Sequence, residues 1–260
     1  SLEPGRGSRP EAAAQGAEFC LTPEVTNCVS VSRRHQEAVL HHEADDPTLA
    51  GLRETAERLG IWLLIGSLGI KTGDADGRFA NRSFLISPEG EIVARYDKIH
   101  MFDVAISETE TYRESEGYRP GEKAVCAQTP MGTIGLTICY DMRFAHLYRT
   151  LAKAGADFFT VPSAFTVPTG QAHWHVLLRA RAIECGAYVL APAQGGTHET
   201  GRQTYGHSLI VGPWGEIIAE AAGTGPEIIY GTIDTGEVAK ARARLPSLTH
   251  DRPFDLDAPE

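Results

Sequence analysis

Two rhythms of apolar and polar positions alternate along the chain. Residues 47–59, PTLAGLRETAERL, bring Leu49, Leu52, Ala56 and Leu59 to one face, with Pro47 at the start and Gly60 just past the end, which predicts an amphipathic helix. The run IWLLIGSLGI that follows is almost unbroken in its apolar character and reads as a buried strand. In RFANRSFLISPEGEIVARYDKIH, two alternating runs flank SPEG, where Pro and Gly suit a tight turn; a hairpin is expected whose second arm ends at Asp97-Lys98. Earlier, AEFCLT reads as a short strand after the helix-like EAAAQG and is closed by Pro23-Glu24. The polar stretch 103–122 is expected to be a loop.

From residue 132 to 194 the two rhythms interleave. GTIGLTIC, ADFFTVPSAF and AYVLAPAQ carry the strand pattern, while FAHLYRTLAKAG and QAHWHVLLRARAIECG carry the helical one. A β, α, β, α, β order implies largely parallel strands covered by helices. HSLIVGPWGEIIAEA then reads as a second hairpin turning at GPWG, EIIYGTID as a final strand, and TGEVAKARARL as a helix. With no internal linker, repeat or low-complexity segment, one α/β domain with a mixed sheet is expected over residues 1–260.

Composition narrows the partners. The 260 residues are 42% hydrophobic and 22% charged, ordinary for a chain that buries a sizeable core. The 24 Lys and Arg are scattered and outnumbered by 34 Asp and Glu, a net charge of −10, which argues against a surface that tracks nucleic-acid phosphates. Apolar runs fall far short of the roughly 20 residues of a membrane-spanning helix, and SLEPGRGSRP lacks the apolar region of a signal peptide. Five cysteines with no CxxC pair suggest neither a disulfide framework nor a thiolate zinc site, and a reducing cytoplasm fits them. His41-His42 and His173-Trp174-His175 lack the spacing of a helical ligand pair, so neither metal nor cofactor is expected.

Three strand patterns end in a side chain capable of chemistry. Glu24 follows LTP, Lys98 follows EIVARYD and Cys139 follows GTIGLTI. In open α/β sheets ligands bind beyond the carboxyl ends of the strands, where these three would converge if the strands are neighbours. A thiol needs a base, a carboxylate can take the proton, and an ammonium can steady a developing oxyanion. Taken singly, each has a duller explanation: Pro-Glu and Asp-Lys at strand ends are commonly solvated turn residues, and a strand cysteine is commonly core.

LTPE, YDKIHMFD and CYDMRF, in that order, resemble the signature segments of the nitrilase (carbon-nitrogen hydrolase) superfamily. The similarity extends through YRESEGYRPGE, PSAFTVPTGQAHWHVLLRARAIE, QGG and YGHSLIVGPWGEIIAE, from about Glu11 to Pro253, and is strongest to the deaminated-glutathione amidase branch. The resemblance implies a four-layer αββα sandwich and a catalytic set in which Glu24 is the base, Lys98 stabilises the intermediate and Cys139 is the nucleophile. Glu114, in YRES, matches a second glutamate beside the triad; on its own it would read as a loop carboxylate. The implied reaction is hydrolysis of the C–N bond of a small carboxylated amide through a Cys139 thioester, with release of ammonia and with Lys98 and the Tyr140 backbone N–H holding the oxyanion. An ω-amidase or N-carbamoyl amino acid hydrolase would use the same triad, and a non-catalytic interaction module on the same fold is a third reading. The family also implies a homodimer or higher homo-oligomer.

Arg143 is open to two readings, a fork for a substrate carboxylate or an internal ion pair with Glu184 or Asp141. His173 and Trp174 either line the pocket or pack at a helix start; Arg179, Arg181 and Glu184 read as structural. Two departures from the family stand out. Ala145-His146 occupy the place of a Pro-Glu pair, and only EAAAQGAE remains of the family's opening helix, so a first sheet strand is expected to be missing, with residues 1–10 a remnant and 245–260 a C-terminal extension.

Overall fold

The computed structural model describes residues 8–106, 110–199, 201–223 and 225–257. Helix α1 (Ser8–Ala14) leads into strand β1 (Phe19–Leu21), and helix α2 (Arg33–Val39) follows in a stretch where the pattern gave no element. Helix α3 (Pro47–Leu59) keeps the expected limits. Asp46 caps it by accepting from the Leu49 N–H at 2.8 Å, Pro47 needs no amide partner in the first turn, and Gly60 stops it at φ 63°. Strands β2 (Trp62–Lys71), β3 (Phe79–Ile86) and β4 (Ile92–Asp97) complete a sheet ordered β1-β2-β3-β4, in which only β1 and β2 are parallel.

The stretch expected to be a loop holds an antiparallel ribbon, β5 (Asp103–Ala105) with β6 (Thr111–Arg113), and a one-turn helix α4 (Glu114–Gly117). The second half then runs β7 (Val125–Thr129), β8 (Gly132–Leu136), α5 (Ala145–Lys153), β9 (Phe158–Thr160), α6 (Val167–Cys185) and β10 (Tyr188–Ala191). A ribbon of β11 (Gly195–Thr197) and β12 (Gln203–Tyr205) precedes the hairpin β13 (Leu209–Val211) and β14 (Ile217–Glu220), and α7 (Thr235–Arg244) follows. The second sheet is ordered β14-β13-β10-β9-β8-β7. Its central pairs β8–β9 and β9–β10 are parallel, with α5 and α6 in the crossovers, while its outer pairs are antiparallel.

The period of two along β2 explains how the sheets stack. Leu63 and Ile65 join Leu49, Leu52 and Ala56 of α3 in one core, whereas Leu64 between them joins Leu85, Tyr96, Ile134, Leu136 and Phe158 in the core between the sheets. Leu147 and Leu151 of α5 with Trp174 and Leu178 of α6 close the far side. The result is the expected α-β-β-α layering, mixed in both sheets.

One expected element is absent. Residues 227–234, read as a final strand, carry no ladder; Ile228 packs against the α3-side core, but among the described residues no strand pairs with this segment. An apolar alternating run marks a surface that wants burial, and becomes a strand only where a neighbour takes up its N–H and C=O groups. The first sheet has four described strands against six in the second, with the three-residue β1 at its edge. Of the polar opening, residues 1–7 lie outside the described residues and the backbone from Ser8 is helical. Beyond α7 the chain makes one 3-10 turn at Ser247–Thr249, and Asp251 pairs with Arg149 and Lys153. No described helix is long and apolar enough to cross a membrane.

Candidate active site

Glu24 is placed by an irregularity in β2. The β2–β3 register slips between Ile65 and Leu68, and the freed groups hold the segment after β1. Gly66 N–H donates to Thr22 Oγ1 at 3.0 Å, Val25 N–H to Ser67 Oγ at 2.8 Å and Thr26 N–H to the Ser67 carbonyl at 2.8 Å. A Cβ on Gly66 would collide with the Thr22 and Pro23 carbonyl oxygens and with Pro162, so only glycine lets the Glu24 segment and the end of β9 meet over β2. Val25 and Cys139 both sit at φ 47°, left-handed backbone that non-glycine residues avoid, so strain flanks two of the reactive groups.

Cys139 opens a 3-10 turn, Cys139–Arg143, directly beyond β8, with its N–H on the Pro162 carbonyl at 2.9 Å. Asp141, fully buried, fastens that turn to the other sheet. It accepts from Tyr96 Oη at 2.6 Å, His100 N at 3.0 Å, Ile138 N at 2.9 Å, and has His100 Nδ1 at 2.7 Å. Tyr96 and His100 bracket Lys98, so one carboxylate ties the cysteine turn to the strand end that carries the lysine. From the opposite side Arg181 Nε donates to the Met142 carbonyl at 2.7 Å.

Lys98 is 2% exposed and lies between two carboxylates. Its Nζ is 2.9 Å from Glu24 Oε1, and 2.9 and 2.8 Å from the two oxygens of Glu114. Asn81 Nδ2 donates to Glu24 at 2.9 Å and to Glu114 at 3.3 Å, the Ala164 N–H donates to Glu24 Oε2 at 2.8 Å, and the Phe102 N–H donates to Glu114 Oε2 at 2.7 Å. The Cys139 thiol lies close enough to Glu24 to help hold its carboxyl down, and Gln194 Nε2 donates to the Glu24 carbonyl at 3.0 Å. Glu24, Lys98, Glu114 and Cys139 are therefore gathered at one point, from four separate parts of the chain.

Their charges follow from this packing. Burial pushes the Glu24 carboxyl up, but the Lys98 charge, the neighbouring Cys139 thiol and hydrogen bonds from Lys98 and Asn81 outweigh it and hold Glu24 below the ordinary 4.5. Burial pulls Lys98 down, and Glu114 and Glu24 more than reverse it, leaving the ammonium well above 10.5. For Cys139 burial and the Glu24 charge both push upward and Lys98 only partly compensates, so the thiol rests protonated. At neutral pH the site holds two carboxylates, one ammonium and a neutral thiol whose proton faces a ready base.

The residues expected around a substrate sit on the Cys139 turn and on α6. Tyr140 is half-buried, with ring centroids of Phe102 and Phe144 at 5.1 and 5.4 Å. Arg143 lies 5.8 Å from the Tyr140 ring and 5.6 Å from the Phe165 ring, with His173 Nδ1 3.3 Å from its Nη2. The internal ion pair considered for Arg143 does not form: Glu184 pairs with Arg181 at 2.6 Å, and Asp141 is occupied by Tyr96, His100 and Ile138. His173 is exposed, while Trp174 beside it is fully buried and donates to the His207 carbonyl at 2.8 Å, so of the two only Trp174 packs as a core residue. Asn81, Ala164 and Gln194 were missed from the sequence. Asn81 alone left a trace, as an amide in the otherwise apolar strand FANRSFLI.

Known proteins share both sequence and fold with this chain. The carbon-nitrogen hydrolase family profile matches residues 8–243. A deaminated glutathione amidase from Yersinia enterocolitica is 40% identical over 241 residues, covering 91% of this chain and 82% of that protein. The crystal structure of the C. elegans NitFhit protein superposes with a TM-score of 0.84 at 34% identity; the match covers 94% of this chain and 59% of that longer one. An amidase from Nesterenkonia sp. AN1, solved as a glutamate-to-glutamine variant with the acetamide moiety of fluoroacetamide added covalently at the active-site cysteine, has a TM-score of 0.71 at 26% identity, over 84% of this chain and 78% of that one.

Proposed function

The chain belongs to the carbon-nitrogen hydrolase family, and from that premise we propose that it cleaves amides of small carboxylated compounds through a thioester on Cys139. One observation carries this reading: a buried ammonium held between Glu24 and Glu114, with the Cys139 thiol close enough to the first of them to help hold its carboxyl down. Glu24 takes the thiol proton as sulfur attacks the amide carbon, and Lys98 with the Tyr140 backbone N–H receives the charge gathering on oxygen. The tetrahedral adduct collapses as Glu24 returns that proton to the departing nitrogen. Water, deprotonated by the same carboxylate, attacks the thioester; the acid leaves, and the proton goes back to sulfur. Glu114 fixes the ammonium and, with Asn81, keeps Glu24 turned toward it. The cysteine adduct in the Nesterenkonia amidase supports the nucleophile assignment.

Arg143, free of any described carboxylate and close to Tyr140, suits the acid group of a substrate, with His173 at its edge. Deaminated glutathione, after which the Yersinia relative is named, contains no primary carboxamide, so its cleavage would release an amine; the ammonia anticipated from the sequence belongs to primary amides only. Release of either nitrogen from deaminated glutathione, α-ketoglutaramate and an N-carbamoyl amino acid, beside Cys139→Ser, tests the reading and separates its variants. The first compound is expected to turn over fastest. No Cys139-dependent release from any of them would overturn it.

Assembly as a homodimer or larger homo-oligomer in a reducing cytoplasm is part of this proposal. Its support is a run of exposed apolar side chains on α6 and the β13–β14 hairpin: Val176, Ile183, Trp214, Ile217 and Ile218. Ile183 and Trp214 share a cavity of about 240 Å³ with Pro213 and Leu245. Sedimentation should give at least twice the 28.1 kDa chain mass, and Trp214→Glu should shift it toward the monomer; a wild-type monomer at micromolar concentration would refute assembly.

A further inference from the structure

Arg202, immediately before β12, has no part in the reaction described above. Its Nη2 donates to the Ala164 carbonyl at 2.8 Å, and the N–H of that same Ala164 is bonded to Glu24 Oε2. The guanidinium therefore stands one residue's backbone away from the base. Its Nε is buried and has no hydrogen-bond partner among the described residues. The guanidinium carbon is 5.7 Å from the Tyr112 ring centroid; Tyr112 is 5.2 Å from Phe102, and Phe102 is 5.1 Å from Tyr140. An aromatic wall thus runs from the nucleophile's turn to Arg202. On the next residue of the same segment, Phe165, lies Arg143.

Charge gives these arginines a purpose. Glu24, Lys98 and Glu114 together carry a net −1, a centre that repels an anionic substrate. Among the described residues neither Arg143 nor Arg202 pairs with an Asp or Glu, a state they share with other arginines; what sets these two apart is that both lie against the 164–165 segment. Two unpaired guanidiniums flanking the 164–165 segment would offset that repulsion and define two anchor points.

We infer that Arg202 receives a carboxylate of the substrate, so that with Arg143 the site selects amides bearing an acidic group at each end. This rests on the amidase reading above, and the test separates the two. The turnover of deaminated glutathione is compared with that of its two monomethyl esters, in wild type and in Arg202→Gln. The ratio of kcat/KM for the diacid to that for one of the esters is expected to fall by roughly tenfold to a hundredfold in the variant, as for a lost charged hydrogen bond, and Arg202→Lys is expected to recover part of it. An equal fall for all three amides, with the ratios unmoved, would reduce Arg202 to an anchor of Ala164 and overturn the proposal. Independently, glutarate should protect Cys139 of the wild type from iodoacetamide, and the protection should weaken at least tenfold in Arg202→Gln, with melting curves showing both proteins folded. Arg202-dependent protection without hydrolysis would sink the amidase reading and leave this inference standing; hydrolysis with unchanged protection would do the reverse.

Discussion

Cys139→Ala is expected to lower amide hydrolysis by at least about 10⁴-fold, because without the sulfur no covalent step remains and only binding and the oxyanion environment are left. Cys139→Ser should fail nearly as badly. A serine hydroxyl could take the thiol's place beside Glu24, but it is a far weaker acid than a thiol, and Glu24 is held below 4.5, a base strong enough only for the easier proton. Because the thiol rests protonated, iodoacetamide alkylation of Cys139 should climb steadily through the neutral and alkaline range. A rate already level at neutral pH would mean a preformed thiolate and would refute base-assisted attack. The backbone adds a separate expectation. At φ 47° alanine inherits the strain that cysteine bears, while glycine relieves it. Cys139→Gly should therefore melt no lower than Cys139→Ala, although glycine elsewhere costs roughly 0.5–1 kcal/mol against alanine; a clearly lower melting temperature would show that the turn is not strained.

Much of this was legible before any coordinates, and the failures have a common cause. Helix α3 and the hairpin β3–β4 could be read because capping residues and turn residues act locally: Asp46, Pro47 and Gly60 do their work within a few residues. Glu24, Lys98 and Cys139 could be picked out as candidates because each follows a strand pattern, and the family resemblance made them a set. What joins them could not. The amide of Asn81 reaches Glu24 across 57 positions and the N–H of Ala164 reaches it across 140, and no local pattern encodes such a separation. Glu114 needed the family resemblance, since as a residue of a polar stretch it reads as solvated, yet in the fold it grips Lys98 with both oxygens. Segment 227–234 failed in the opposite sense. Its apolar alternation leaves Ile228 and Ile233 half-buried against the two cores, but a strand is a property of two segments, and among the described residues none pairs with this one.

The second large effect is expected at Lys98. Lys98→Met leaves Glu24 and Glu114 facing each other, with Asn81 as their shared donor and no cation between them. Removing one member of a buried ion pair costs on the order of 3–5 kcal/mol, and the loss of the charge facing the oxyanion should cost about 10³-fold or more in kcat. The pH dependence separates electrostatics from packing. In the wild type, Lys98 lies above 10.5, so its contribution is complete below that value and is lost only as pH rises through the higher folded value; Glu24 lies below 4.5, so its contribution is complete above 4.5 and is lost as pH falls through the lower one. Stability attributable to the pair is therefore flat between those limits. Without the ammonium, burial is the dominant influence left on Glu24 and moves its carboxyl above 4.5. A carboxyl raised by folding destabilises as pH climbs past its unfolded value, so the variant should melt higher near pH 4.5 than at neutrality, and the gap to wild type should widen with pH. Adding Glu114→Gln to Lys98→Met should recover part of the stability by removing one stranded charge, and none of the activity. A gap that stays constant with pH, or a double variant no more stable than the single, would mean that Lys98 serves as filler between the sheets and that its charge is not what holds the two carboxylates together.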